Sequence, residues 1–408
     1  MHELVVKNAR LRGRDRLVDI AVENGKVISI AEESLRGEVE LDAGGRLVTE
    51  PLVNPHLHLC KVYTFEEIGD RALELYQHEK MLDSSKAIQI ASQVKKSYRE
   101  ESVFKRASEA LVEAVKHGCL YVRAFVDTDT LAGLTAVKAI LRLKKLFDGV
   151  VQLQVVAFPQ EGVVKDPGAE ELVWKAVELG CDVVGGIPWI ERSEQDARSH
   201  VDRMFRIAKA FDKDVAMLTD DAGDPQLRTT EYLARKALVE EMVGRVSAHH
   251  ARALSLYSEE LLTSVIEILK AAGVSVVSNP HTGSLYAPVK KLLRNGVNVA
   301  LGQDDVADAY YPFGRCKMLE VAFLASHLMR MMTKNDLETM MDMITCNAAR
   351  AMALSEYGVR PGSYADLVIH DAASVYEVIW RQAEPLYVIR KGRVILERRE
   401  TTRLNLAL

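Results

Sequence analysis

Two histidines one residue apart, His56 and His58, follow the apolar pair Leu52 and Val53. In a strand alternate side chains share a face, so both imidazoles would point one way and could grip a single cation. We read Asn54-Pro55-His56-Leu57-His58 as the end of a buried strand that carries two ligands to a rim. An HxH pair has a plain alternative, hydrogen-bonded histidines near a turn. What favours chemistry is the set of groups that recur at later strand ends: Asp127, Gln160, Trp189 and Glu191, then Asp220 and Asp221, His249 and His250, and Gln303, Asp304 and Asp305. Imidazoles with a carboxylate suit Zn²⁺ or Fe²⁺. A site of that kind with one open position activates water.

Such groups need a scaffold that delivers strand ends to one place. The chain has 408 residues, 48% hydrophobic and 27% charged, with a net charge of -5. This is the composition of a globular protein with a large core. It lacks the basic field of a nucleic-acid binder, so no nucleic-acid partner is expected. No apolar run is long enough for a membrane span, and none near the start suits a signal peptide. Five scattered cysteines without a CxxC pair suggest a reducing compartment and a cytoplasmic location.

From residue 92 the pattern alternates helix and strand. Helices are expected over 92–117, 130–146, 168–179, 196–210, 227–242, 257–272 and 287–295. Strands are expected at 119–127, 151–158, 181–187, 214–219, 244–248, 274–278 and 298–301. With the strand ending near Val53 this makes eight. Eight β/α units predict a (β/α)8 TIM barrel over 51–354, with its active site at the C-terminal strand ends. A doubly wound sheet is the runner-up, but the Gly-rich phosphate loop that often follows its first strand is absent. Residues 60 to about 90, with Tyr63, Phe65 and Tyr76, form a long excursion of the lid or binding-loop kind.

Both chain ends read as short strands. The stretches 17–22 and 27–30 make a hairpin about Asn24-Gly25, a turn pair that tolerates positive φ. The stretches 365–369, 386–389 and 393–396 are similar. Neither end builds a good core alone, so 1–50 and 355–408 are expected to form a composite small β domain.

These residues carry a family resemblance over almost the whole chain. Pro55-His56-Leu57-His58, Ala157-Phe158-Pro159-Gln160-Glu161-Gly162, Ser247-Ala248-His249, Gly302-Gln303-Asp304-Asp305 and Tyr311-Pro312-Phe313-Gly314 resemble the metal-dependent amidohydrolase superfamily. The likeness is to its branch of cytosine deaminases and N-isopropylammelide aminohydrolases. That resemblance implies a barrel with one divalent metal ion, zinc or iron. It implies His56, His58 and Asp304 as ligands, with His249 beside the metal-bound water. Gln160 would pair with the substrate ring, Asp305 would contact the leaving amine, and Tyr311 would pack near the ring. Self-association as a homo-oligomer is expected because the family is usually oligomeric.

The chain departs from the family at several places. The third histidine ligand, at the end of strand five, falls on Leu218. The glutamate proton shuttle falls on Asp221, one methylene shorter. Cys60 stands where an aspartate is common, and Phe125 where a histidine is usual. The expected remedy is His249 as replacement ligand, with Asp220 or Asp221 able to swing in. A weakly held metal and a metal-free protein are the alternatives.

The expected activity is metal-dependent hydrolysis of a C–N bond in a small polar heterocycle, cytosine- or aminotriazine-like, by an aminohydrolase (deaminase). Asp304, His249, Asp221 and Asp305 would be catalytic. Gln160, Trp189, Tyr311 and Lys61 would bind substrate, with Tyr310 a further candidate for ring packing. The alternatives are an amide or ring-opening hydrolase of the same superfamily and a degenerate non-catalytic small-molecule binder.

Overall fold

The computed structural model describes residues 1–68, 70–76, 81–399 and 401, with the backbone alone at Tyr76 and 81–85. The chain divides into two compact units. One is Leu52–Ala114 with Cys119–Ser355, and the other is Met1–Pro51, Val115–Gly118 and Glu356–Leu408.

The larger unit is a (β/α)8 TIM barrel. Its strands are β1 (Leu52–Leu57), β2 (Cys119–Asp127), β3 (Gln152–Phe158), β4 (Val183–Gly186), β5 (Asp214–Thr219), β6 (Val246–His250), β7 (Ser275–Ser278) and β8 (Val299–Leu301). They pair in chain order as one parallel sheet. Just past β8 the sheet returns to β1: the Asp304 N–H donates to His56 O at 2.8 Å, and the His58 N–H donates to Asp304 O at 2.8 Å. Barrel closure therefore uses the backbone of the residues expected to do chemistry.

The strands read as unbroken apolar runs because both faces are covered. All nine residues of β2 are buried. The helices bury one stripe each. In Glu100–Lys116 that stripe is Val103, Ala107, Ala110, Leu111 and Ala114, at the three- and four-residue spacing of one helix face. Ser193 and Ser258 accept N–H bonds from Asp196 and Leu261 and cap the two helices that follow β4 and β6. At the mouth, Phe125, Phe158, Ile187, Trp189, Leu218 and Tyr310 share one apolar cluster.

The excursion after β1 forms helices Phe65–Ile68, Arg71–Tyr76 and Met81–Ala91 and a 3₁₀ turn, Ser92–Ser97. Gly69 and 77–80, part of the expected 60–90 lid, lie outside the described residues. Among the described residues no helix is long and apolar enough to cross a membrane.

The smaller unit has two four-stranded sheets. In the first, Val18–Glu23 pairs antiparallel with Lys26–Ala31. Asn24 and Gly25 take φ of 51° and 72°, as a two-residue turn with both φ positive requires. The second joins Val48–Thr49 to Leu367–His370, Pro385–Arg390 and Arg393–Glu397, so both chain ends contribute. Leu4, Val6, Ile20 and Val22 share a core with Leu367, Ile369 and Ile389.

Candidate active site

Four donor atoms from three parts of the barrel converge at the C-terminal end of the sheet. His56 Nε2 and His58 Nε2 are 3.3 Å apart. Asp304 Oδ1 is 3.3 Å from His56 Nε2, 3.6 Å from His58 Nε2 and 3.7 Å from His250 Nε2. All four residues are at least 97% buried. Zinc–donor bonds of about 2.0–2.2 Å in a tetrahedron put the donors about 3.3–3.6 Å apart. The four separations given fall on or just above that range, and two triads, His56, His250 and Asp304, and His58, Asp304 and Asp305, each bring their ligand atoms within 4.8 Å of one another, a spacing that suits a divalent cation.

Protonation agrees with this fit. Burial, with Lys61 and Arg252 nearby, holds His56, His58 and His250 well below the ordinary imidazole value, in the neutral form that ligates. Burial also pushes the Asp304 carboxyl up to about 7, with Asp221 and Asp308 adding to the rise, while the Thr282 hydroxyl and Arg252 oppose it. A bound cation reverses that balance. The backbone is strained at two of these residues, with φ of 67° at His250 and 68° at Asp304.

His250, rather than His249, stands in the donor set. His249 lies on β6 in register with Leu218 and on the same face as Ser247. Its ring sits behind His56, with Nδ1 2.8 Å from His56 Nδ1 and Nε2 2.9 Å from Ser247 Oγ. Strict alternation would send His250 to the opposite face. Its left-handed backbone, followed by Ala251 at φ 48°, turns the ring over the mouth instead. The His-His doublet was the only sequence signal for this, and it does not say which ring goes where.

Leu218 leaves an apolar wall at the end of β5. Asp221 lines the same small cavity and bridges two groups. Its Oδ1 accepts from Arg252 Nε at 2.5 Å and lies 3.4 Å from His250 Nδ1. Arg252 Nη2 lies 3.3 Å from the same Nδ1, so that ring nitrogen faces both the carboxylate and the guanidinium. Burial raises Asp221 to about 6 against the pull of Arg252. Asp220 turns away: its carboxylate accepts from Thr229 N and Thr230 N and from the Thr229 hydroxyl, at the start of the helix after β5.

Arg252 was not anticipated. Its guanidinium also donates to Leu285 O and Thr282 Oγ1, each at 2.9 Å, and Thr282 Oγ1 donates to Asp304 Oδ2 at 2.7 Å. A Cβ at residue 283 would lie 1.9 Å from Arg252 Nη1, so Gly283 makes room for it.

On the opposite side Lys61 Nζ donates to Gln160 Oε1 at 2.7 Å. Lysine only donates, so this contact fixes the amide and leaves the Gln160 NH₂ as its free end. Burial works against the Lys61 charge, but Asp127 and Asp305 hold it as ammonium. Asp305 Oδ1 is buried without a partner. Trp189 and Tyr310 line the cavity, and the Trp189 Nε1–H is also unpaired. Tyr311 packs edge-on against His281 at 5.1 Å and does not line the cavity.

The cavity has a volume of about 30 Å³. Ile88, Ile187, Trp189, Leu218 and Tyr310 form its apolar lining. A larger cavity of about 290 Å³ lies beyond Trp189, beside Arg192 and Tyr232. It contains none of the four converging donors and is not the chemical centre.

A closed β/α barrel with a buried His/Asp donor set at its mouth defines a metal-competent hydrolase scaffold. The chain belongs to the amidohydrolase family, whose model matches residues 78–396. It is 32% identical over 398 residues to the N-isopropylammelide isopropyl amidohydrolase of Pseudomonas sp. (strain ADP), covering 97% of each chain. It is also 32% identical to a 5-methylcytosine deaminase from Klebsiella pneumoniae, solved with 5-fluorocytosine, at a TM-score of 0.91 over 98% of this chain and 99% of that one. An N-isopropylammelide isopropylaminohydrolase from Burkholderia multivorans shares the fold at a TM-score of 0.85 and 24% identity, over 97% and 98% of the two chains.

Proposed function

We propose that this protein is a metal-dependent aminohydrolase that replaces an exocyclic amine on a small polar heterocycle, cytosine- or aminotriazine-like, with oxygen. The observation that carries this is the approach of His56 Nε2, His58 Nε2 and His250 Nε2 to Asp304 Oδ1 within 3.7 Å. These four residues would hold one divalent ion, zinc or iron. When bound, such an ion supplies Lewis acidity and a water of lowered pKa. The relatives named for N-isopropylammelide and 5-methylcytosine support the substrate class.

The chain's own groups divide the remaining work. Gln160, its carbonyl oxygen engaged by Lys61, presents NH₂ to an acceptor atom of the ring, a carbonyl oxygen or an unprotonated ring nitrogen. Lys61 adds positive charge on that side, which favours an electron-rich oxygen. Trp189, Tyr310 and Leu218 give an apolar face against which a planar ring packs. Asp221 carries a proton between the attacking oxygen and the ring nitrogen, with Arg252 fixing where its carboxylate sits. Asp305, with its unpartnered oxygen at the cavity, contacts the departing amine. His249 is not among the residues that line the cavity.

The test is metal analysis of the purified protein joined to a product assay on amino-pyrimidines and amino-triazines. Stoichiometric metal with release of ammonia or alkylamine and an intact ring supports the reading. Ring-opened product moves the activity to a ring hydrolase. A protein that takes up no metal in replete medium removes the proposal.

A further inference from the structure

The histidine behind the site has a job that the sequence alone assigned elsewhere. His249 is fully buried and away from the cavity, yet its ring touches a proposed ligand. Its neighbours form a line: Arg123 Nη1 to Ser247 Oγ at 3.2 Å, Ser247 Oγ to His249 Nε2 at 2.9 Å, and His249 Nδ1 to His56 Nδ1 at 2.8 Å. Gln154 Oε1 anchors the far end by accepting from Arg123 Nε at 2.9 Å.

Only two proton orders satisfy this line. In one, the Ser247 hydroxyl donates to His249 Nε2, and His249 Nδ1–H donates to His56 Nδ1. The His56 proton is then on Nε2, pointing into the donor set, and that ring cannot ligate. In the other, His56 Nδ1–H donates to His249 Nδ1, and His249 Nε2–H donates to Ser247 Oγ. A hydroxyl oxygen has two lone pairs, so it accepts from Arg123 as well. This order bares the His56 Nε2 lone pair. The Asn279 amide presents Nδ2, a donor, 3.3 Å from His56 Nδ1 and 3.5 Å from His250 Nδ1, a longer contact than the 2.8 Å to His249.

We propose that His249 is a positioning residue. It accepts the Nδ1–H of His56 and, backed by Ser247 and Arg123, fixes the ring tautomer and orientation that let His56 bind a cation. The inference rests on the metal-dependent reading above and names the group that makes its first ligand competent. Outer partners of this kind typically change metal affinity about 10–100-fold when lost.

The experiment is chelator competition for Zn²⁺ and the visible spectrum of the Co²⁺-loaded protein, on the full chain. His249→Leu removes the acceptor and is expected to weaken Zn²⁺ binding about 10–100-fold. His249→Asn keeps an oxygen where Nδ1 stood and is expected to restore most of the affinity with the parent's Co²⁺ spectrum. Ser247→Ala keeps both rings and is expected to weaken binding by about tenfold, which serves as the test if His249→Leu does not fold. Parental affinity in folded His249→Leu, or in Ser247→Ala, overturns the inference. So does His249→Asn that binds as weakly as His249→Leu. If the unsubstituted chain binds neither ion, the metal reading itself falls, a result that the variants cannot mimic.

Discussion

The Arg252 guanidinium lies 2.5 Å from the Asp221 carboxylate, at the place where a longer, acidic proton shuttle was expected. The shorter side chain is not loose. It is held by a buried cation on one side and faces His250 Nδ1 at 3.4 Å on the other. On the proposed reading one carboxylate would serve both the proton traffic and the orientation of a ligand, which would couple the two roles.

Asp221→Asn separates them. Asn keeps an oxygen that can accept from His250 and Arg252 but carries no transferable proton. We expect kcat to fall about 10²-fold or more while metal content stays near that of the parent. Equal loss of metal would show that the carboxylate's charge, rather than its proton, is what the site needs.

Gly283→Ala tests the Arg252 arrangement without touching a polar group. Gly283 is extended, with φ of -170°, so alanine strains no backbone there. Its methyl group would instead collide with Arg252 Nη1, and the guanidinium must leave its hydrogen bonds. Overpacking of this kind costs about 1–3 kcal/mol. A drop in melting temperature with reduced kcat is the expected pair of readings. Unchanged kinetics would mean that Arg252 does not set the carboxylate.

His250→Ala and Asp304→Ala each remove a donor from the set and should abolish stoichiometric metal. In the parent, a cation at 100 times its Kd adds about 2.7 kcal/mol to stability. Thermal melts should therefore shift upward with added Zn²⁺ in the parent and stay put in both variants. A zinc-dependent shift that survives in His250→Ala would move that residue out of the coordination sphere.

Glu191 fastens the loop that carries Gln160. Its carboxylate accepts from the N–H groups of Val163, Val164 and Lys165 at 2.7, 3.1 and 2.8 Å and pairs with His200 Nδ1 at 2.8 Å. His200 Nε2 accepts from Ile187 N–H at 3.1 Å, so that ring is neutral and donates through Nδ1. Burial keeps it neutral, below the ordinary imidazole value. Gly162, at φ 90°, lets the loop pass, since a Cβ would lie 2.7 Å from Glu191 Oε1. Glu191→Gln should raise KM several-fold by loosening Gln160, with kcat less affected. Steady-state kinetics on the best substrate decide it.

The small β domain offers a separate pH test. Burial alone would raise Asp19, but Lys7 Nζ at 2.8 Å and the N–H groups of Asn8 and Leu35 outweigh it and lower its value below 3.8. A carboxyl depressed on folding stabilises the folded state above its unfolded value and loses that contribution as pH falls through the folded one. Asp19→Asn should therefore destabilise at neutral pH by about 1–3 kcal/mol. The gap to the parent should close once pH drops below the ordinary carboxylate range. A gap independent of pH in denaturant melts would assign the loss to shape instead of charge.

Much of the barrel was legible because its signals are local. Apolar runs of strand length between helical periods placed β3, β5, β7 and β8 within about a residue or two of their observed bounds. Asn24-Gly25 announced its turn by chemistry that needs no distant partner. The alternation rule also put His56 and His58 side by side at the mouth, as observed.

What tertiary structure alone decided is which neighbours complete the set. His249 and His250 are adjacent in sequence and equivalent in chemistry. The backbone at the end of β6 turns left-handed, and this sends one ring behind His56 and the other over the mouth. The partners that select each role, His56 across 193 residues and Arg252 with the Thr282–Asp304 link behind it, are set by barrel closure. Sequence patterns report what a residue must bury within its own element. They carry no record of a strained strand end, whose cost is met by contacts that exist only once the first and last strands have met.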